Sequence, residues 1–247
     1  MAITKVTSGV RTLGTGEVTT TNILDGTIEN ADVSATAAIA STKVSGIVAS
    51  GLNSVQVFTS SGTWTRPSGI TKVMMEVQGA GGGAARRDGA ISYSQITGAA
   101  GGYCQKLLDV SSISTSTITI GAAGDGTHAS APIDGGDGGA SSWADGTNTI
   151  TAGGGEGGLT DSASTGTSGG SATGGDVNIP GGNGFSGPLY YNAVAPSSRF
   201  GSGGNGIYST QAYGAQAVGY GAGGGFLVAS ALNGDGGPGL IVVWEYK

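Results

Sequence analysis

One histidine, one cysteine and scattered carboxylates are the residues of this chain that could do chemistry, and none stands in a pattern that catalysis requires. Gly166-Thr167-Ser168-Gly169-Gly170 fits G-x-S-x-G. A nucleophile elbow needs a strand before it, a helix after it and a histidine later in the chain. His128, the single histidine, lies upstream. Gly153, Gly155 and Gly158 fit G-x-G-x-x-G, but no helix pattern follows to place a helix N-terminus against a pyrophosphate. Asp134 and Asp137 beside the run 135–139 resemble a calcium-binding β-roll unit. Such repeats keep a nine-residue period, and none recurs. Cys104 is alone, which excludes an intrachain disulfide and a thiolate zinc site. It sits in a strand pattern as a small apolar filler. Paired carboxylates for glycan cleavage leave a depolymerase as the one enzymatic alternative, in a chain with little side-chain mass for a large core. The expectation is a protein with no catalytic site, no metal and no cofactor.

The residues suited to recognition are aromatic and cationic. Tyr190, Tyr191, Phe200, Tyr208 and Tyr213 fall among glycine tracts near the C-terminus, and Arg86, Arg87 and Tyr93 lie in the glycine-poor stretch 84–97. Tyrosine offers contact area at low entropy cost. These eight are the candidate receptor contacts. The competing reading has the aromatics capping a glycine lattice or filling an oligomer axis.

Glycine dominates what must position them. It supplies 52 of 247 residues, against a usual share of about 7%. Only 8 of these lie in residues 1–77. Charged residues make up 11% and the net charge is −6, so neither a coiled coil nor charge-driven disorder fits. Between 107 and 198 there are eight acidic residues and no Lys or Arg. A nucleic-acid surface needs clustered cations, so that partner class is excluded. No apolar run reaches transmembrane length, and 1–22 lacks the apolar core of a signal peptide. A single cysteine fits folding in a reducing cytoplasm before work elsewhere.

Two regions follow. Residues 1–50, rich in Thr, Val, Ala and Ser, predict extended pieces and a short helix over 33–43. Ile28, Val33, Ile39 and Val44 could form a stripe, but the segment has little chain of its own to pack against, which favours oligomerisation. Residues 53–247 open with strand patterns at 55–58, 63–65 and 70–77, continue with 103–110 and 115–120, and close with the strongest, 240–246. Trp143 and Ile150 mark weaker ones. The predicted fold is mainly β, an antiparallel frame pairing the last strand with early ones around a glycine-rich middle.

The middle has two readings: flexible linker, or backbone packed on backbone. Polyproline II chains point their N–H and C=O groups outward and make no internal hydrogen bonds. With glycine at the crowded positions, neighbouring chains can bond one another and satisfy their buried polar groups. The tracts are short, numerous and bracketed by strands, which favours such polyglycine II-like helices.

The stretch Val57 to Pro67 (VFTSSGTWTRP), then 70–77 and 79–83, resembles the opening of the glycine-rich domain of bacteriophage tail-fibre proteins. Segments 101–110, 117–124, 174–182 and 236–246 resemble the rest of that domain in order, covering about 56–247. Residues 25–43 are similar to a segment of tail-fibre proteins of environmental phages. The resemblance implies a homotrimeric virion appendage made in the host cytoplasm. Residues 1–50 would attach it to other virion or tail proteins, and loops of 53–247 would meet a host-surface glycan or outer-membrane protein. A purely structural fibre or decoration protein without receptor binding is the alternative. The family's long shaft is missing, which points to a short appendage or a distal piece.

Overall fold

The computed structural model describes residues 51–85, 94–127, 133–160, 167–188, 194–205, 216–226 and 233–247. The expected N-terminal helix and extended pieces of 1–50 lie outside them. The described residues carry fourteen strands and no helix. In chain order they are β1 (Leu52–Phe58), β2 (Gly62–Thr65), β3 (Lys72–Gln78), β4 (Ser94–Ile96), β5 (Tyr103–Asp109), β6 (Thr115–Thr119) and β7 (Ser141–Ala144). Then come β8 (Thr149–Ala152), β9 (Ala172–Thr173), β10 (Val177–Ile179), β11 (Ser186–Pro188), β12 (Phe200–Ser202), β13 (Val218–Tyr220) and β14 (Leu240–Tyr246).

Alternating apolar residues make two five-stranded antiparallel sheets, β1-β14-β3-β5-β10 and β2-β6-β7-β8-β9. The last strand pairs with two early ones, β1 and β3, as the sequence predicts. Val73, Met75, Val77, Cys104, Ile241 and Val243 of the first sheet meet Trp64, Ile118, Trp143, Ile150 and Ala152 of the second in one buried cluster. Trp64 and Trp143 lie at its centre, ring centroids 4.9 Å apart and tilted by 48°, within the range of favourable aromatic pairs. Glu245 is fully buried and satisfied: its carboxylate accepts from Trp64 Nε1 (2.7 Å), Gln56 Nε2 (2.7 Å) and Ser54 Oγ (2.5 Å). That carboxylate ties edge strands of both sheets together. Cys104 is buried in the same core, and burial pushes its thiol pKa up.

Beyond the strand ends the chain packs by another rule. The backbone N–H groups of residues 79–84 donate in turn to the carbonyls of Gly102, Gly139, Gly237, Ala99, Gly136 and Gly234. Those are three neighbouring segments, then the same three again. The carbonyls of 80–84 accept from Gly155, Gly124, Gly224, Gly158 and Thr127, again cycling through three segments. Segment 79–84 therefore has six neighbours. The six also bond each other in a closed ring, through Ala99→Glu156, Gly138→Gly155, Gly136→Asp125, Gly236→Gly124, Gly237→Ala222 and Gly98→Gly224. Segment 97–102 repeats the rule, donating to Phe185, Gly224, Glu156, Gly182, Gly221 and Gly153.

Glycine is required here because of space. A Cβ on Gly81 would lie 1.9 Å from Ala222 O, and one on Gly83 would lie 2.1 Å from Asp125 O. Neither adopts positive φ; Gly221 is the one positive-φ glycine within the bonded segments just named. The outer segments need glycine on the faces turned toward neighbouring segments. Residues 134–139 read Asp-Gly-Gly-Asp-Gly-Gly, with Asp134 and Asp137 exposed. These outward side chains accept hydrogen bonds from backbone donors that have no lattice neighbour. Asp137 Oδ1 accepts from Gly157 N (2.8 Å), Glu156 Oε2 from Ser168 N (2.8 Å), Asn183 Oδ1 from Gly169 N (3.0 Å) and Asp235 Oδ1 from Gly126 N (2.7 Å). Lys and Arg carry no acceptor, so neither could take the place of Asp137 or Glu156 in this role.

Candidate functional site

Of the eight residues expected to contact a receptor, Phe200 is described; Arg86, Arg87, Tyr93, Tyr190, Tyr191, Tyr208 and Tyr213 lie outside the described residues. The described residues that border several of those stretches are gathered together. Asn233 Nδ2 donates to Ala85 O (3.0 Å) and Thr127 Oγ1 (2.8 Å), Ala85 N donates to Ile96 O, and β11 pairs with β4. Val194 bridges Asn205. His128 also lies outside the described residues, and Ser168 caps the lattice through its backbone rather than forming a nucleophile elbow.

Phe200 belongs to a cluster that the sequence reading did not single out. Strand alternation puts Val73, Met75 and Val77 in the core and Glu76 and Gln78 on the opposite face of the first sheet. Pairing sets Val242 and Gln105 beside Glu76, and Leu240 and Tyr103 beside Gln78. Glu76 is buried. Its Oε1 accepts from Tyr103 Oη (2.7 Å) and its Oε2 from Trp244 Nε1 (3.2 Å). The Arg199 guanidinium comes within 3.9 Å of Oε1 and stands 5.7 Å over the Phe200 ring, inside cation–π range. Phe200 and Tyr103 rings are 6.2 Å apart. Burial, with the Glu76 carboxylate adding to it, pushes Tyr103 up to about 12. Tyr103 thus stays a protonated donor at neutral pH, and Glu76 has both oxygens engaged. The arrangement is a network in which Tyr103, Trp244 and Arg199 surround one buried carboxylate. The signal that could have found it was a charged residue inside a strand of apolar neighbours.

Among the described residues no three His, Cys, Asp or Glu side chains are grouped to hold a metal ion, and no helix is long and apolar enough to cross a membrane. A family model for the glycine-rich domain matches residues 56–246. The chain belongs to the glycine-rich domain family. The matched span opens inside β1 and ends on the last residue of β14, so the glycine-rich domain takes in both the sandwich and the lattice. No curated protein matches the chain.

Proposed function

We propose that this glycine-rich domain protein is a bacteriophage tail-fibre-type virion protein that attaches to a host-surface glycan or outer-membrane protein. The lattice segments are polyglycine II helices in this reading: the three-residue donor cycle of 79–84 and 97–102 matches the three residues per turn of that helix. The observation that carries the reading is the gathering of Ala85, Ile96, Thr127 and Asn233 by hydrogen bonds. These residues flank stretches that include Arg86, Arg87 and Tyr93. A backbone lattice that fixes the ends of several connecting stretches in one place suits recognition, because scaffolds fix where binding loops begin.

The chain works as a homotrimer in this proposal, with 1–50 joining it to other virion proteins. The outer face of the first sheet supports self-association. Val55, Val57, Leu107 and Val177 share it and are each more than two-fifths exposed. Contiguous exposed apolar residues mark interaction surfaces. The protein carries out no catalysis in this reading, in keeping with the engaged Glu76 carboxylate.

The test is binding of the purified, fluorescently labelled chain to candidate host cells, with its mass measured in the same sample. Saturable binding by a trimer is expected, reduced by Tyr190→Ala, Tyr191→Ala or Arg86→Ala. A folded trimer that binds no cell of the true host would leave a structural fibre. A stable monomer would remove the oligomer, and turnover of a host polysaccharide would restore the depolymerase.

A further inference from the structure

The outer face of the first sheet is closed in its middle and open along both edges. Strand register sets Val57, Val242, Glu76, Gln105 and Val177 in one row across its five strands. In the middle, Val242 and Glu76 are 8% and 6% exposed. Gln78 on the same face is fully buried, and no donor among the described residues reaches its Oε1. The row ends are the reverse: Val57 is 59% exposed and Val177 43%. Val55 joins Val57 on β1, and Leu107 and Ile179 lie beside Val177 on β5 and β10, each also exposed. Two exposed apolar patches therefore sit at opposite edges of one face, four strand spacings or about 19 Å apart. Both edges are undefended. β1 (LNSVQVF) and β10 (VNI) contain no charged residue and no proline, two of the devices that keep a sheet edge from meeting another chain.

We propose that these two patches bind each other between copies of this chain, head to tail, with Val55 and Val57 of one copy against Leu107, Val177 and Ile179 of the next. A foreign partner needs one patch. A ring of copies needs two different ones at a fixed separation, one to present and one to receive. The five strands alternate in direction, so β1 and β10, the first and the fifth, run the same way. Rotation about an axis along the strands brings β1 of one copy beside β10 of the next without inverting either. A two-fold pair would instead set β1 against β1 and leave the Val177 patch uncovered. Charge does not oppose the contact, because Lys106 and Asp176 beside the second patch pair with each other at 3.2 Å. The inference rests on the attachment reading only for the number of copies, three.

The test places one cysteine on each patch of the full-length chain. Cys104 is buried and stays out of the reaction. The double variant Val57→Cys/Val177→Cys is treated with a bis-maleimide too short to span the two positions within one chain. Cross-linked dimer and trimer on a denaturing gel are expected, and neither single variant cross-links. The control Val57→Cys/Val218→Cys uses a more exposed position on β13 and stays at the level of chance collision. Near-ultraviolet circular dichroism confirms that each variant folds, and the mass in solution is measured before treatment. Cross-linking of Val57→Cys alone would show β1 meeting β1 and overturn the proposal. Equal yields from the two double variants would overturn it as well. An oligomeric mass without cross-links between positions 57 and 177 overturns this contact and leaves the homotrimer held by other residues. A monomeric mass removes both, and host-cell binding scored on the same samples then decides the attachment reading by itself.

Discussion

The sandwich and the lattice of this protein are both buried, but they are buried with different materials. In the sandwich, Trp64, Trp143, Met75 and Ile241 fill the space between two sheets, and backbone groups are satisfied along strand ladders. In the lattice, the buried matter is the backbone itself. Segment 79–84 is surrounded on six sides by other chain segments, and its donors and acceptors run outward to all six. The first region tolerates a change of side chain if volume is kept. The second admits Ala80 and Ala84 but no side chain at Gly81 or Gly83, where an added Cβ would meet a carbonyl oxygen. Compactness therefore does not require a leucine-rich composition; it requires that every buried polar group find a partner.

The sharpest way to break this comparison is Gly83→Val. Its Cβ would sit 2.1 Å from Asp125 O, and backbone cannot move aside without breaking the ring. A loss of more than about 4 kcal/mol, seen as failure to fold, is expected. A folded Gly83→Val protein with native melting behaviour would show that the lattice is loose. Trp64→Ala comes next, at about 3–5 kcal/mol for a truncated core aromatic. It also leaves the Glu245 carboxylate without its 2.7 Å indole donor. Denaturant melts measure it, and a cost under 1 kcal/mol would mean the lattice alone holds the domain.

Acid separates the two regions more finely. Asp145 is partly buried in the β7–β8 hairpin. Burial raises its pKa, but hydrogen bonds from Asn148 (2.7 Å to its N–H) and Thr147 (2.9 Å) outweigh that and hold the pKa below the usual carboxylate value. Asp176 is lowered by the Leu107 N–H and then by Lys106, and Asp109 by the Ser111 N–H. For groups lowered on folding, stability is fully present above the unfolded pKa and is lost as pH falls through the folded one. Thermal melts should therefore fall as pH drops below about 4, the unfolded aspartate value. The fall should be shallower in Asp145→Asn; an identical acid profile in that variant would remove Asp145 from this account. The smallest effect is on the lattice rim. Asp137→Ala deprives the Gly157 N–H of its 2.8 Å acceptor at an exposed site, at about 1 kcal/mol. Asp137→Asn, whose amide oxygen still accepts, should lose less. Equal losses would assign the effect to charge rather than to the missing acceptor.

Much of the sandwich was legible in the sequence because strands announce themselves by alternation. The patterns at 55–58, 63–65, 103–110, 115–120 and 240–246 correspond to β1, β2, β5, β6 and β14. The two- and three-residue strands β9 to β13 carry too few residues for a pattern. The acids Asp137 and Glu156 were visible but their capping role was not, since a sequence does not show which lattice edge lacks an acceptor. Phe200 was named as a contact candidate; its neighbours Tyr103 and Arg199, and the Glu76 carboxylate they reach, were not, because they come from β5, from residue 199 just before β12 and from β3, and converge only on folding.

By itself the sequence determined that the chain is mainly β, that strands bracket the glycine tracts, and that side chains are too few to fill the whole interior. Those properties are local, set by alternation and by the absence of Cβ atoms. The tertiary structure alone decided which segments surround 79–84, which carboxylate caps which amide, and that Gln78 keeps a buried oxygen without a donor. Each of these is a long-range pairing, and a glycine tract carries no side chain to say which partner it takes.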